Sequence, residues 1–177
     1  MKKVLILSDT HQYNEMFQNI LEIHNDADIK IHCGDACVFK DDPIIKNFYV
    51  VMGNHDFAGF DHHKIISPFF ITHGHLENIY YTLDNVIKLA KDNDCTIVCH
   101  GHTHIAFFDI IEGITIINPG SIMFNRGQLG FGTYVIAYLN DNNKLENVNF
   151  FHHITHENVS KQALSDGIET LKLFRFK

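Results

Sequence analysis

Val4-Leu5-Ile6-Leu7-Ser8-Asp9-Thr10-His11 is an apolar run that stops at two metal-seeking side chains spaced Asp-x-His. An apolar run without polar alternation reads as a strand covered on both faces, as in the middle of a mostly parallel sheet. Ligands in open α/β sheets gather beyond the carboxyl ends of the strands, so a site is expected where this strand ends. Working outward, the pattern recurs. Ile29 to Cys33 leads into Gly34-Asp35, with the glycine letting the backbone turn sharply, and Phe48 to Met52 leads into Gly53-Asn54-His55-Asp56. Phe69 to Ile71 leads into Thr72-His73-Gly74-His75, and Thr96 to Cys99 into His100-Gly101-His102-Thr103-His104.

The intervening segments read as helices and turns. Met16, Phe17, Ile20, Leu21 and Ile23 predict an amphipathic crossover helix from Asn14, a candidate cap, to about His24. Asp41 to Lys46 reads as a short helix with Pro43 in its first turn. Ile79, Leu83, Val86, Ile87 and Ala90 predict a helix from Asn78 to about Asp92. Ile65-Ile66 joins the next strand through Ser67-Pro68. The last third reads as hairpin-linked antiparallel strands over 105–111, 114–117, 132–139 and 145–153, interrupted by the loop Asn118-Pro119-Gly120-Ser121. A terminal helix is expected over 158–173. No repeat or linker divides the chain, so one compact domain over 1–177 is expected.

Composition narrows the functional classes. Hydrophobic residues make up 45% and charged residues 20%, which excludes disorder as the main state. A net charge of -7 with no Lys/Arg cluster argues against non-specific binding of long nucleic acids. Asp9 and His11 cut the first apolar run below a usable signal-peptide core, and no stretch approaches the ~18 apolar residues of a membrane helix. A soluble, cytoplasmic protein is expected. The four cysteines form two Cys-x3-Cys pairs, Cys33/Cys37 and Cys95/Cys99. In an extended run the latter two stand ~13 Å apart, too far for one tetrahedral zinc, so all four read as reduced core thiols. Of fourteen histidines, His11, His55, His73, His102 and His104 fall at strand ends, whereas His62, His63, His152, His153 and His156 fall in polar or edge surroundings. His152-His153-x-x-His156 reads as an exposed segment without function.

Taken together and in this order, Asp9-x-His11, Gly34-Asp35, Gly53-Asn54-His55-Asp56, Thr72-His73-Gly74-His75 and Gly101-His102-Thr103-His104 closely resemble the calcineurin-like metallophosphoesterase superfamily. The small size, and the Asn118-Pro119-Gly120-Ser121 loop, resemble its YfcE-type phosphodiesterase branch. The resemblance covers roughly residues 4 to 121. It implies an α/β fold, a four-layer sandwich of two mixed β-sheets flanked by helices, whose strand ends converge on two divalent ions. Asp9, His11, Asp35 and His104 would surround the first ion, and Asp35, Asn54, His73 and His102 the second. His55 matches a histidine that touches the substrate phosphate and protonates the leaving oxygen; Asp56 would orient His55 or merely close the turn. His75 would stand near the site without ligating.

The chemistry agrees with these residue types. Two divalent ions ~3.5–4 Å apart activate water and neutralise charge on a phosphate ester, and holding them so close calls for a bridging anion such as Asp35. Mixed Asp, His and Asn donors suit Mn²⁺, with Fe²⁺, Zn²⁺ or Ni²⁺ as alternatives, rather than an all-oxygen Mg²⁺ or Ca²⁺ cage. With both carboxylates and a bridging hydroxide the centre keeps a small positive charge for a phosphodiester anion.

Two departures bear on specificity. Gln12 stands where the family often has Gly, and only sixteen residues separate Asp56 from His73, which implies a trimmed segment beside the site. The expected activity is metal-dependent hydrolysis of a small phosphodiester or nucleotide, with no membrane partner and with homo-oligomerisation left open. The competing readings are a phosphomonoesterase or nuclease using the same metals, and a non-catalytic interaction scaffold on the same fold. Arg126 is given no role.

Overall fold

The structure, a computed structural model, describes residues 1–12 and 15–175. The apolar runs become the strands of two mixed five-stranded sheets. The first is ordered β10-β9-β1-β2-β3, built from β1 (Lys2–Leu7), β2 (Ile29–His32), β3 (Tyr49–Val50), β9 (Thr133–Leu139) and β10 (Leu145–His152). The second is ordered β4-β5-β6-β8-β7, from β4 (His63–Ile66), β5 (Phe69–Thr72), β6 (Ile97–Cys99), β7 (Phe107–Ile111) and β8 (Ile114–Asn118). Among the described residues three α-helices flank them, α1 (Glu15–Ile23), α2 (Asp84–Asp92) and α3 (Ser160–Arg175), and the short helix expected over Asp41 to Lys46 is a 3₁₀ turn at Pro43–Ile45.

The opening run explains the layering. Val4, Leu5, Ile6 and Leu7 are all fully buried, but alternate residues face different layers. Val4 and Ile6 join Ile31, Cys33, Phe69, Ile71, Cys99, Val135 and Phe150 in one core cluster, shared by strands of both sheets. Leu5 and Leu7 pack with Phe17 and Ile20 of α1 and with Tyr134 and Ile136. On the far side Phe70, Val98 and Ile116 pack with Val86, Ile87 and Ala90 of α2 and Leu171 of α3. A strand covered on both faces needs apolar residues at every position, and each such side chain contributes ~1.5–3 kcal/mol of burial. β1 pairs parallel with β2, as a helical crossover requires, and antiparallel with β9.

Some expectations are corrected. The helix expected from Asn78 starts six residues later, at Asp84. Asn78 adopts a left-handed backbone (φ 57°) incompatible with a helix interior, and Thr82 Oγ1 instead accepts the Asp84 amide. The third strand keeps only Tyr49–Val50 of the expected 48–52. Asn14, the candidate cap of α1, lies outside the described residues. The four cysteines are free, but Cys37 is only half-buried and belongs to the site rather than the core. Nor is the histidine cluster simply exposed: His152, His153 and His156 are half-buried, and their Nδ1 atoms engage the Ile154 and Thr155 amides, the Ile122 carbonyl and the Tyr134 hydroxyl, respectively. Among the described residues no helix is long and apolar enough to cross a membrane.

Candidate metal centre

The carboxyl ends of β1, β2, β3, β5 and β6 open onto one place, and the chain leaves most of them through a sharp reversal. Asp9, His11, Asp35, His102 and His104 all have positive φ, between 47° and 66°. Such a conformation costs a non-glycine residue of order 1–3 kcal/mol and persists only where the surroundings over-determine it. Here they do. The amides of Asp9, His11 and Gln12 donate in succession to the carbonyls of Gly34, Asp35 and Ala36 at 2.9–3.0 Å, locking the β1 and β2 exits together. Asp56 clamps the next exit: its carboxylate accepts the amides of Asp35 (2.7 Å), Cys37 (2.6 Å) and Gly53 (2.8 Å). Gly53 is required by contact, since a Cβ there would lie 2.1 Å from Asp35 Oδ1.

Donor atoms of Asp9, His11, Asp35 and His104 all lie within 4.8 Å of one another. Their hydrogen bonds leave one inward-facing oxygen, Asp9 Oδ1, without a partner. Asp9 Oδ2 accepts from Ser8 Oγ (2.6 Å) and the His102 amide (3.1 Å), whereas the fully buried Oδ1 makes no hydrogen bond. His104 Nδ1 engages the Phe124 carbonyl at 2.8 Å, which leaves Nε2 facing Asp9 Oδ1, 3.0 Å away. A carboxylate oxygen and an imidazole nitrogen so placed can share a cation. His11 Nε2 lies 3.5 Å from His104 Nε2. A buried carboxylate oxygen without a hydrogen-bond partner, beside an imidazole whose other nitrogen is committed to a backbone carbonyl, fits a divalent transition ion.

Asn54, His73 and His102 stand on the other side of Asp35. His73 Nδ1 donates to the Cys33 carbonyl (2.7 Å), and its Nε2 lies 3.1 Å from Asn54 Oδ1 and 3.4 Å from Asp35 Oδ2. The His102 ring is 5.1 Å from the His73 ring, centroid to centroid. The structure thus brings together all seven residues expected as ligands. Burial opposes ionisation of Asp9, but neighbouring His73 and His104 outweigh it and hold the carboxyl well below the usual range. Burial would likewise depress His73, yet Asp9 and Asp35 push it up to about 9, while burial and His73 press His102 down to about 4.

His55 and Asn54 are exposed at the mouth. The His55 amide donates to Asp35 Oδ1 at 2.8 Å, and its ring stands 5.7 Å from that of His11. Of the three amides that the Asp56 carboxylate accepts, that of Gly53 belongs to the turn carrying His55, while those of Asp35 and Cys37 tie this turn to the β2 exit. His75 is half-buried, its ring 5.3 Å from His73.

Sequence reasoning missed the groups that hold the histidine turn. Ser121 Oγ donates to the Asp9 carbonyl (2.8 Å) and accepts the Met123 and Phe124 amides, so the quoted Asn-Pro-Gly-Ser loop seats the carbonyl that orients His104. Arg126, left without a role, reaches the His102 carbonyl (3.3 Å) and the Tyr80 hydroxyl. Cys37 Sγ lies 3.7 Å from His11 Nδ1; the Cys-x3-Cys spacing hid it among the core thiols.

A nest of carboxylates and imidazoles at the shared mouth of two mixed sheets is the working end of a metal-dependent hydrolase of phosphoric esters. The chain belongs to the calcineurin-like phosphoesterase superfamily, whose domain model matches residues 1–142. It is 37% identical over 144 residues to YsnB, a probable metallophosphoesterase of Bacillus subtilis, covering 78% of this chain and 85% of that one. It is 30% identical over 143 residues to the phosphodiesterase MJ0936 of Methanocaldococcus jannaschii, covering 67% and 82%. Among solved structures, a predicted phosphoesterase from Streptococcus pneumoniae superposes with a TM-score of 0.80 at 26% identity, over 89% of this chain and 92% of that one.

Proposed function

We propose that the chain is a single metallophosphoesterase domain acting as a binuclear phosphodiesterase on a small phosphodiester or nucleotide. The observation that carries this reading is the buried Asp9 Oδ1, without a hydrogen-bond partner, facing His104 Nε2 with His11 and Asp35 beside them. Asp9, His11, Asp35 and His104 would hold one divalent ion, and Asp35, Asn54, His73 and His102 a second, Mn²⁺ fitting this mixed nitrogen and oxygen donor set. Bound there, the ions supply Lewis-acid activation of water and charge neutralisation on the phosphoryl oxygens. The chain's own residues do the rest. Asp35 joins the two donor groups, and the carbonyls of Cys33 and Phe124 fix the tautomers of His73 and His104. His55, exposed on the rigid Gly53 to Asp56 turn, contacts the phosphate and gives a proton to the departing oxygen. Four free thiols support a reducing, cytoplasmic setting. A complete donor set favours this enzyme over a scaffold that keeps only the fold.

The test combines metal analysis with turnover. Protein reconstituted with Mn²⁺ is expected to carry close to two ions per chain and to hydrolyse bis(4-nitrophenyl) phosphate faster than 4-nitrophenyl phosphate. Trace metal after reconstitution with Mn²⁺, Fe²⁺ and Zn²⁺ in turn would sink the reading.

A further inference from the structure

Three large aromatic side chains stand in solvent at the rim of the metal centre: Phe39, Phe57 and Phe124, at 67%, 49% and 56% exposure. Each hangs from a segment the centre already fixes. Phe39 is two residues beyond Cys37, whose amide is held by Asp56 and whose Sγ lies 3.6 Å from the His55 carbonyl. Phe57 directly follows Asp56. The Phe124 ring meets the His11 ring edge-on with centroids 5.6 Å apart. Phe39 and Phe57 come from different loops and yet stack on each other, centroids 5.0 Å apart and planes tilted by 16°. Neither ring finishes buried, although exposed apolar clusters at a rim mark binding surfaces. Two offset, near-parallel rings leave outer faces on which a third planar ring continues the stack.

Charge points the same way. The chain carries -7 overall; near the site stand Arg126 at the His102 turn and Lys40, whose side chain packs beside Gly59. Among the described residues no basic cluster awaits a polyphosphate. An ester offering one anionic phosphate to the metals and a planar ring to the rim matches what is there.

We infer that Phe39 and Phe57 form a stacking platform for a heteroaromatic ring of the substrate, with Phe124 bounding the rim beside His11, so that the ester class is a nucleoside-bearing phosphodiester. This rests on the phosphodiesterase reading above. Calorimetric titration of the Mn²⁺-loaded protein with AMP and with ribose 5-phosphate isolates the base, since both carry the same phosphate and sugar. AMP is expected to bind about tenfold more tightly, within the range for one stacked base. Phe39→Ala should bring the ratio close to one and Phe39→Trp restore it; Phe57→Ala gives a second reading on the other loop. Equal affinities in the wild type, or a ratio untouched by both alanine variants, would overturn the platform. Turnover of bis(4-nitrophenyl) phosphate, measured in parallel, separates the two ideas: equal affinities with turnover intact remove the platform alone, whereas discrimination without turnover supports the platform and counts against the catalytic reading.

Discussion

His73 Nδ1 lies 2.7 Å from the carbonyl oxygen of Cys33, so an imidazole carried by β5 in the second sheet is oriented by the backbone at the end of β2 in the first. The same division runs through the centre: Asp9, Asp35 and Asn54 leave the first sheet, His73, His102 and His104 the second. A metal ion held there would cross-link the sheets. A ligand at a hundredfold excess over its Kd stabilises the fold by ~2.7 kcal/mol, which in a chain of this size raises the thermal midpoint by roughly 5–10 °C. Melts with Mn²⁺ and with a chelator check this; identical midpoints would mean that the sheets share no ion.

Asp35→Asn is expected to damage activity more than Asn54→Asp. Asp35 touches both donor groups, lying among the four-residue nest and 3.4 Å from His73 Nε2, whereas aspartate at 54 keeps an oxygen donor. Metal content and kcat/KM of the two variants give the rank order, and an Asp35→Asn protein with wild-type metal and rate would remove Asp35 from the shared position.

For His55→Ala the expectation is retained metal with lost rate, typically 10²–10⁴-fold where acid catalysis is removed. The loss should be larger on a diester with an alkoxide leaving group than on a nitrophenyl diester, because nitrophenolate departs without a proton. Equal losses on both, together with a missing ion, would make His55 a support of the Gly53 to Asp56 turn and nothing more.

Acid should destabilise the fold through His24. Its ring is held between α1 and β9, with Nε2 2.9 Å from the Tyr134 hydroxyl, which also meets His156 at 3.0 Å; burial, then Lys3, presses its pKa down to about 4. The unfolded chain therefore binds this proton more readily. Stability is full above the ordinary pKa of 6.5 and falls as pH drops toward about 4. The ring is half-exposed, so the loss between pH 7 and 5 is discounted for screening to about 1 kcal/mol. Urea midpoints at the two pH values should diverge less in His24→Gln than in wild type; an equal divergence would acquit His24.

The strand ends were legible because each is a local event, an apolar run followed at once by its donor. What was illegible depends on distant contacts. Nothing around Asn78 announces that its backbone turns left-handed while Ile79 packs beneath Gly74, where a Cβ would lie 2.9 Å from Ile79 Cγ2; apolar spacing alone reads helix. Phe124 and Arg126 lie twenty or more residues past His104, and their loop is folded back over it by contacts that no local pattern announces, among them the Ser121 hydroxyl and the Arg126 guanidinium. Cys37 shares its spacing with the core thiols, and the reversal at Asp35 (φ 54°) carries it out beside His11 instead.

The placement of β1 between β2 and β9 bears on how the protein is made. Every residue proposed as a ligand has been synthesised by residue 104, and the parallel partner of β1 follows within thirty residues, but the other edge of β1 waits for 133–139. At 5–20 residues per second the ribosome needs a few seconds to supply that last stretch. During those seconds, or permanently in a chain released early, the strand bearing Asp9 offers an unpaired apolar edge to any passing strand. Truncation upstream of 133 thus endangers solubility before it endangers chemistry, and metal capture in the finished geometry belongs to the completed chain.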